Sequence, residues 1–355
     1  MPEAARWELL VSRDDLVVTE VRQLAVPALA ADQVELAVER LALTTNNVTY
    51  AHFGGPPMNF WNTFPTADSA WGRLPVWGFA RVTRSRHPGF SPGERFFGLV
   101  PSASHHLVVP AAAARGFADA TPDRHFPHPW YGTFQPAGVP DHHDDRRALL
   151  RPVYPASFHA ADALAAKAGD DGLTVLVTSA SSKVAIGIAH RLRGNPNVRT
   201  VGLTSADHRE FVTGLGLYGQ VVSYQDLAAL TVEGPVACVD LSGDNALMAV
   251  VHGAFQDRLA HFMTLGWTRG VQPPPDLTDP VPERLFAPGV EATAIEAEGV
   301  DAYFARYLAA EDEFIASTES WLTVKNDGGP DAVAAVFRGL VDGSHPVDRC
   351  TVITP

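Results

Sequence analysis

The chain has 355 residues, enough for two domains, and its formal net charge of −13 at pH 7 argues against a nucleic-acid partner, because binding to a phosphate backbone relies on clustered Lys and Arg. The two cysteines, Cys238 and Cys350, are too few for a disulfide framework and lack zinc-type spacing, so we expect no structural metal site. No apolar run approaches the ~20 residues of a membrane-spanning helix, and we expect a cytoplasmic protein without a membrane partner.

The first hundred residues are predicted to form short strands separated by turns. "QVELAVERLAL" alternates apolar and polar residues as a half-buried strand does, and "LPVWGFARVTRS" and "RFFGLVPSASHHLVVP" continue the pattern around a turn rich in Pro and Gly. Residues 53–71 and 121–152 break the pattern, and we predict long loops there, which are often functional. The run "DHHDDRR" in the second loop offers metal-ligand side chains but is more typical of a solvated surface.

From Ala156 the pattern changes to alternating helices and strands. "ASFHAADALAAKAG", "KVAIGIAHRLRG", "ADHREFVTGLGL" and "DNALMAVVHGAF" are predicted helices, and "TVLVTSA", "VRTVGLTS", "GQVVSY", "VACVDLSG" and "LAHFMTLGW" are predicted strands. This alternation favours a parallel sheet with helices on both faces. The chain ends with a predicted helix, "PDAVAAVFRGLVDG", and a closing strand, "DRCTVIT".

Several segments carry a family resemblance. "LALTTNNVTYAHFGG" stands where one enzyme branch has an Asn-Pro-x-Asp segment, and "TVLVTSASSKVAIGIAHRL" is similar to its "V-L-V-x-G-A-S-G-G-V-G". The chain thus resembles the medium-chain dehydrogenase/reductase superfamily, in its zinc-free branch of quinone and enoyl reductases. The combination of "GRLPVWGFA", "LLRPVYPASF" and "SASSKVAIGIA" looks closer still to a bacterial family catalogued as a domain of unknown function.

The resemblance implies an α/β fold in three segments. Residues 1–150 would form a GroES-like, strand-rich catalytic domain, and residues 151–316 a Rossmann nucleotide-binding domain with a doubly wound parallel sheet. Residues 317–355 would return to the catalytic domain. The implied protein is a cytoplasmic oxidoreductase with a small-molecule substrate, for which a homodimer is one arrangement.

The nucleotide-binding turn departs from the family pattern. Ser179, Ser182, Lys183 and Ala185 stand where glycines are expected. Serine hydroxyls can donate to pyrophosphate oxygens and Lys183 can meet a phosphate charge, as the N-terminus of the following helix does. The alternative is that side chains have filled the loop and exclude a dinucleotide.

The end of the second Rossmann strand favours NADPH over NADH. An NAD site usually has an acidic residue there, whereas this chain has Thr204 and Ser205, with Arg209 one helical turn on. Small hydroxyl residues and a cation suit a 2′-phosphate. The expected cofactor-binding residues are Ser179, Ala180, Ser182, Lys183, Val184, Thr204, Ser205, Arg209, Tyr224, Ser242 and Gly266.

The expected catalytic residues lie in "TTNNVTY". Tyr50 can hold a carbonyl oxygen or deliver a proton, and Asn46 or Asn47 can orient the substrate. The alternative is that Tyr50 packs in the core and the asparagines satisfy a turn. Zinc-dependent members of the superfamily have Gly-His-Glu where this chain has "VWGFA", so the resemblance implies zinc-independent chemistry.

Aromatic residues in the first long loop are candidates for an apolar substrate site. Phe60, Trp61, Phe64 and Trp71 can line such a site or anchor the loop or a dimer contact, and Arg151 can reach a phosphate or carboxylate. Two function classes remain open. One is an NADPH-dependent reductase of an activated C=C or C=O bond, and the other is a non-redox enzyme, such as a lyase, or a ligand-binding protein on the same fold.

Overall fold

A computed structural model describes residues 6–265, 277 and 279–355. The chain divides into two compact units, Met1–Pro152 with Leu322–Pro355, and Val153–Trp321. Over the described part of the chain, no helix combines the length and the apolar character needed to cross a membrane.

The first unit begins with the strand-rich part of the chain. Its elements up to residue 152 are β1 (Trp7–Ser12), β2 (Thr19–Gln23), β3 (Val34–Ala42), α1 (Thr45–His52), β4 (Trp71–Arg73), β5 (Pro75–Ser85), β6 (Arg95–Pro101), β7 (His105–Val108), β8 (Pro110–Ala112), β9 (Phe117–Asp119), β10 (Thr133–Pro136) and α2 (Asp144–Leu150).

The strands predicted from alternation are present, with one difference. β3 and β5 form the predicted strands, and they pair with each other in antiparallel register. The stretch predicted as one strand from residue 95 is interrupted at Ser102 and Ser104. The Ser102 hydroxyl donates to the Leu9 carbonyl at 2.8 Å, and the Trp7 N–H donates to the Ser104 hydroxyl at 3.0 Å. These bonds attach the interruption to β1, so the stretch continues as two strands.

The interpretation of "DHHDDRR" as a solvated surface is wrong for its second half. Its last residues begin α2, where Asp144 is only 3% exposed. Asp144 pairs with Arg95 at 2.8 Å, and Asp145 pairs with Arg40 at 2.6 Å. Burial of the Asp144 carboxylate is tolerated because it faces an arginine from the sheet.

The second unit alternates strands and helices as predicted. Its elements are α3 (Tyr154–Lys167), β11 (Leu173–Val177), α4 (Lys183–Leu192), β12 (Val198–Thr204), α5 (Arg209–Gly214), β13 (Gln220–Ser223), β14 (Val236–Asp240), α6 (Asn245–Phe255), β15 (Leu259–Thr264), β16 (Glu283–Arg284), α7 (Ala287–Glu298) and α8 (Val300–Ser317).

The sheet of the second unit is parallel throughout the described strands. Its order is β13-β12-β11-β14-β15-β16, which is the 3-2-1-4-5-6 order of a Rossmann fold. The carboxyl ends of β11, β12 and β14 therefore meet at one edge, where such folds bind ligands.

Two helices of the second unit were not predicted. α8 buries Tyr303, Tyr307 and Phe314, whose spacings of four and seven residues put them on one helical face. Phe314 stacks on Tyr154 of α3 with ring centroids 5.1 Å apart. This aromatic contact holds α8 against α3.

The end of the chain returns to the first unit as β17 (Thr323–Gly328), α9 (Gly329–Val341) and β18 (Arg349–Thr354). β18 pairs with β3, which gives the sheet order β17-β18-β3-β5-β6-β10-β9-β8 with β7 beside β3 among the described strands. A second sheet has the order β2-β1-β4. Val333 and Phe337 of α9 are fully buried in the core of this unit.

Candidate active site

The turn between β11 and α4 has an unusual backbone conformation at Ser179, where the family pattern has its first glycine. Ser179 has φ of 48°, in the left-handed region that glycine usually occupies. For a residue with a side chain this conformation costs roughly 1–2 kcal/mol. The Ser179 N–H donates to the hydroxyl of Tyr224, which directly follows β13, at 2.9 Å, and this bond helps to hold the strained residue.

The N-terminus of α4 presents donors. Ser182 caps the helix, since its hydroxyl accepts from the Ala185 N–H at 3.2 Å. Among the residues that the structure describes, the backbone N–H groups of Ser181 and Val184 have no hydrogen-bond acceptor. Free N–H groups at the positive end of a helix dipole form a site for an anion such as a phosphate. Lys183, half-buried, is the first residue of the helix.

Tyr218 and Gly202 support this loop, although sequence reasoning did not select them. The Tyr218 hydroxyl donates to the Ala180 carbonyl at 3.0 Å, and Ala180 is fully buried. A Cβ at Gly202 would lie 3.0 Å from both the Ala180 Cβ and the Tyr218 Cγ. The expected contact residue Ala180 therefore serves the loop through packing, and β12 needs glycine where the loop crosses it.

A buried carboxylate organises the loop after β14. Asp240, 1% exposed, accepts from the hydroxyls of Thr178 at 2.7 Å and Ser242 at 2.6 Å, and from the Gly243 N–H at 2.9 Å. Ser242, expected beside the cofactor, uses its hydroxyl in this network. Asp240 was missed, although its position at the end of a predicted strand is a signal for it. Gly266, the last expected cofactor residue, lies outside the described residues.

The residues after β12 have different exposures. Thr204 is buried at 1% exposure, Ser205 is half-buried, and the Arg209 side chain is 55% exposed. Arg209 Nη1 lies 3.7 Å from Asp226 Oδ2, a loose ion pair at the surface. His208 Nδ1 lies 3.1 Å from the Ser181 hydroxyl, which links this turn to the nucleotide loop. Neither Asp226 nor His208 was among the expected residues.

In the first unit, Asn47 is engaged by the backbone. The Asn47 Oδ1 accepts from the Thr44 N–H at 2.8 Å as part of a capping box, and its Nδ2 donates to the Pro75 carbonyl at 2.9 Å. Both ends of the amide therefore fasten the start of α1 to β5. For Asn47, this arrangement agrees with the alternative that the asparagines satisfy a turn.

Asn46 and Tyr50 lie on the same face of α1, four residues apart. The Tyr50 hydroxyl accepts from Asn46 Nδ2 at 2.7 Å and from Trp77 Nε1 at 3.1 Å, and the residue is 3% exposed. Burial raises the pKa of Tyr50 to about 12, although the bonds from Trp77 and Asn46 act to lower it. The phenol is thus protonated at neutral pH and is a donor rather than a base.

The aromatic loop is anchored in the first unit. Phe60 stacks on Tyr50 with centroids 4.4 Å apart, so these two expected residues are brought together. Trp61 packs against Gly54 and Gly72, where any Cβ would lie within 2.3 Å of its ring. Phe64 meets the ring of His106 edge-on at 5.1 Å. All three aromatic side chains are at most 5% exposed, which agrees with the loop-anchoring alternative.

The two remaining expected substrate residues are less buried. Trp71 is half-buried in β4, where its carbonyl accepts from the Arg13 Nε at 2.9 Å. Arg151 follows α2 and is half-buried, with its guanidinium carbon 5.3 Å from the centroid of Phe97.

Known structures share this fold over the whole chain. CurA from Vibrio vulnificus in complex with NADPH aligns with a TM-score of 0.61 at 13% identity, covering 98% of both chains. A putative NADPH:quinone reductase from Bacillus thuringiensis aligns with a TM-score of 0.63 at 14% identity, covering 99% of this chain and 100% of the other. CurK enoyl reductase aligns with a TM-score of 0.56 at 13% identity, covering 99% and 98%.

These alignments confirm the predicted α/β fold, in which a strand-rich unit is joined to a unit with a doubly wound parallel sheet. A comparison with curated protein sequences found no match. The family model described as "Protein of unknown function (DUF2855)" matches residues 41–346, which is most of the chain. The chain therefore belongs to this family.

Proposed function

We propose that this protein is an NADPH-dependent, zinc-independent reductase of an activated C=C bond, as in an enone or enoyl group, or of a C=O bond, in an apolar or aromatic substrate. The observation that carries the proposal is the loop before α4, which keeps a left-handed residue at Ser179 and leaves two N–H groups without acceptors. The solved structures with the same fold include CurA in complex with NADPH and an enoyl reductase.

The residues of the second unit suit a dinucleotide with a 2′-phosphate. The N–H groups of Ser181 and Val184 can bind the pyrophosphate, and Lys183 adds a positive charge beside them. Arg209 is exposed, and its ion pair with Asp226 is long enough to be weak in water, so its guanidinium is accessible to a phosphate. When bound, NADPH would supply a hydride.

The first unit supplies a donor for the substrate. Tyr50 is protonated at neutral pH, and it can donate to a carbonyl oxygen on which negative charge develops when hydride is added to the conjugated carbon. Phe60 stacks on Tyr50 and provides an apolar surface beside the phenol.

The proposed chemistry needs no zinc. Residues 76–80 of β5 take the place of the Gly-His-Glu segment of zinc-dependent superfamily members, and none of them offers a ligand. Electrophilic assistance would then come from Tyr50 alone.

The proposal is tested by titrating chelator-dialysed protein with NADPH and NADH, using the change in nicotinamide fluorescence. We expect NADPH to bind more tightly, and Arg209→Ala to weaken NADPH about tenfold while leaving NADH unchanged, because only NADPH has the phosphate that the guanidinium meets. Arg193→Ala is the matched control, since it removes an exposed arginine at the C-terminal end of α4, away from the loop that precedes this helix.

The possible results separate the function classes. Equal affinities for both cofactors, unaffected by Arg209→Ala, would contradict the assignment of NADPH. Binding of neither cofactor would reject the reductase and favour a non-redox enzyme or a ligand-binding protein on this fold. Loss of NADPH binding or turnover on removal of metal would contradict the zinc-independent chemistry.

A further inference from the structure

The hydroxyl oxygen of Tyr50 receives two hydrogen bonds. An indole nitrogen carries a hydrogen and no lone pair available for bonding, so Trp77 Nε1 can only donate, and it does so over 3.1 Å. Asn46 Nδ2 donates over 2.7 Å. A phenolic oxygen has two acceptor positions, and these donors occupy both of them. The hydroxyl group is left with one capacity, to donate its own hydrogen.

The hydrogen of that hydroxyl has no acceptor within the described part of the chain. Tyr50 is 3% exposed, and leaving a buried donor unused costs stability. Such groups are rare in proteins, and a catalytic role is one of the reasons for them. The missing partner is an acceptor atom, which a carbonyl oxygen provides.

We infer that Trp77 is a positioning residue that, together with Asn46, holds Tyr50 as a donor toward the carbonyl oxygen of the oxidised substrate. The inference rests on the proposed function and extends it to the substrate atom that Tyr50 contacts. An alcohol could not donate to Tyr50, because both acceptor positions of the oxygen are occupied. A carbonyl oxygen, which only accepts, fits the one capacity that the hydroxyl has left.

The proton transfer gives Trp77 and Asn46 a second role, which is to stabilise the phenolate of Tyr50. In reduction of an enone, hydride adds to the β-carbon, the C=C electron pair moves to form an enolate, and the negative charge reaches the carbonyl oxygen. That oxygen takes the proton of Tyr50, which gives the enol form of the saturated ketone, and NADPH would be left as NADP⁺. The phenolate is then held by the N–H groups of Trp77 and Asn46, whose hydrogen bonds strengthen on a charged oxygen, until water returns the proton.

The test compares Trp77→Phe with Tyr50→Phe and with their double variant, in NADPH oxidation assays using 2-cyclohexenone and 1,4-benzoquinone as probes. Phenylalanine keeps an aromatic ring beside Tyr50, removes the indole donor and leaves a small cavity in the packing against Trp130. We expect Trp77→Phe to lower kcat about fivefold to tenfold with little change in KM. In the Tyr50→Phe background the same substitution should have no further effect, because the group that it positions is absent.

The control is Trp7→Phe, which makes the same change at a buried tryptophan of β1 in the same unit. It should leave kcat unchanged. Independent multiplicative losses from Trp77→Phe and Tyr50→Phe would overturn the inference while the reductase function stands, because a merely structural role of Trp77 would act in both backgrounds. Absence of NADPH oxidation by the unaltered protein would instead count against the proposed function.

A second measurement does not depend on turnover. The infrared carbonyl stretch of 2-cyclohexenone labelled with ¹³C at the carbonyl is recorded with the protein in the absence of NADPH. A hydrogen bond from Tyr50 should lower this frequency relative to its value with the Tyr50→Phe variant. Trp77→Phe should reduce the size of this shift. An unshifted carbonyl with the unaltered protein, or a shift that Trp77→Phe leaves intact, would overturn the inference.

Discussion

Replacement of Gly187 by alanine tests whether α4, the helix of the nucleotide loop, is positioned by close contact with α3. Gly187 is buried in the middle of α4. A Cβ at this position would lie 2.5 Å from Ser157 Oγ and 2.8 Å from Ser157 Cβ. Ser157 is fully buried in α3, and its hydroxyl donates to the Val184 carbonyl at 2.9 Å. Neither helix can accept the extra carbon without moving.

The expected magnitude follows from opposing contributions. Alanine in place of glycine inside a helix favours folding by up to about 1 kcal/mol. Forcing a methyl group into a packed contact costs about 1–3 kcal/mol, and displacing the Ser157 hydroxyl from the Val184 carbonyl costs about 1 kcal/mol more. Gly187→Ala should therefore lower the free energy of unfolding by roughly 1–3 kcal/mol.

The assay is urea unfolding followed by circular dichroism. Gly253→Ala in α6 is the matched control, because nothing lies within 4 Å of the Cβ that it would add. It should stabilise the protein by up to about 1 kcal/mol, a change of opposite sign. Ser157→Gly should relieve the cost of Gly187→Ala, since it removes both contacting atoms. Stabilisation by Gly187→Ala, similar to that of the control, would refute the reasoning.

Two further predictions concern Tyr50 and Glu35 of the first unit. Tyr50→Phe should lower kcat about 100-fold and leave the NADPH dissociation constant nearly unchanged, because a donor to a developing oxyanion is worth about 3 kcal/mol in the transition state; full turnover by the variant would remove Tyr50 from the mechanism. Burial would raise the pKa of Glu35, but hydrogen bonds from Arg84, Arg6 and Thr83 outweigh it and hold the pKa at about 2. Because the pKa is lowered on folding, this carboxylate should contribute about 3 kcal/mol above about pH 5, and the contribution should be lost as the pH falls toward 2. The difference in unfolding free energy between wild type and Glu35→Gln should shrink over that range, and a constant difference would contradict the prediction.

The sequence was sufficient for the elements that build the nucleotide-binding unit. The apolar strand ending at Val177, the amphipathic helix from Lys183 and the alternation that follows them are local patterns, and local patterns determine strands and helices when the buried face is continuous. β3 and β5 were predicted for the same reason, from alternating side chains. The helices α7 and α8 were not predicted, although the spacing of Tyr303, Tyr307 and Phe314 in α8 is a local signal of a helix.

The candidate site was only partly accessible from the sequence. Ser179 and Tyr50 were selected by comparison with the motifs of the family. Ser179 has the left-handed conformation expected of the glycine that it replaces, and the Tyr50 hydroxyl is held as a donor. The partners that give them those properties lie elsewhere in the chain, namely Tyr224 for Ser179 and Trp77 for Tyr50. Each pair is separated by at least 27 residues, and no local pattern joins its members.

The sequence by itself therefore determined the order and type of most elements, the two-part fold and the residue types at the ends of the strands. Only the tertiary structure decided that Ser179 takes a left-handed conformation, that Asp144 is buried against Arg95, and that Asn47 is used by the backbone. The physical reason is that side-chain period and turn composition act over a few residues, whereas burial and hydrogen-bond partners depend on which distant segments the sheet brings side by side.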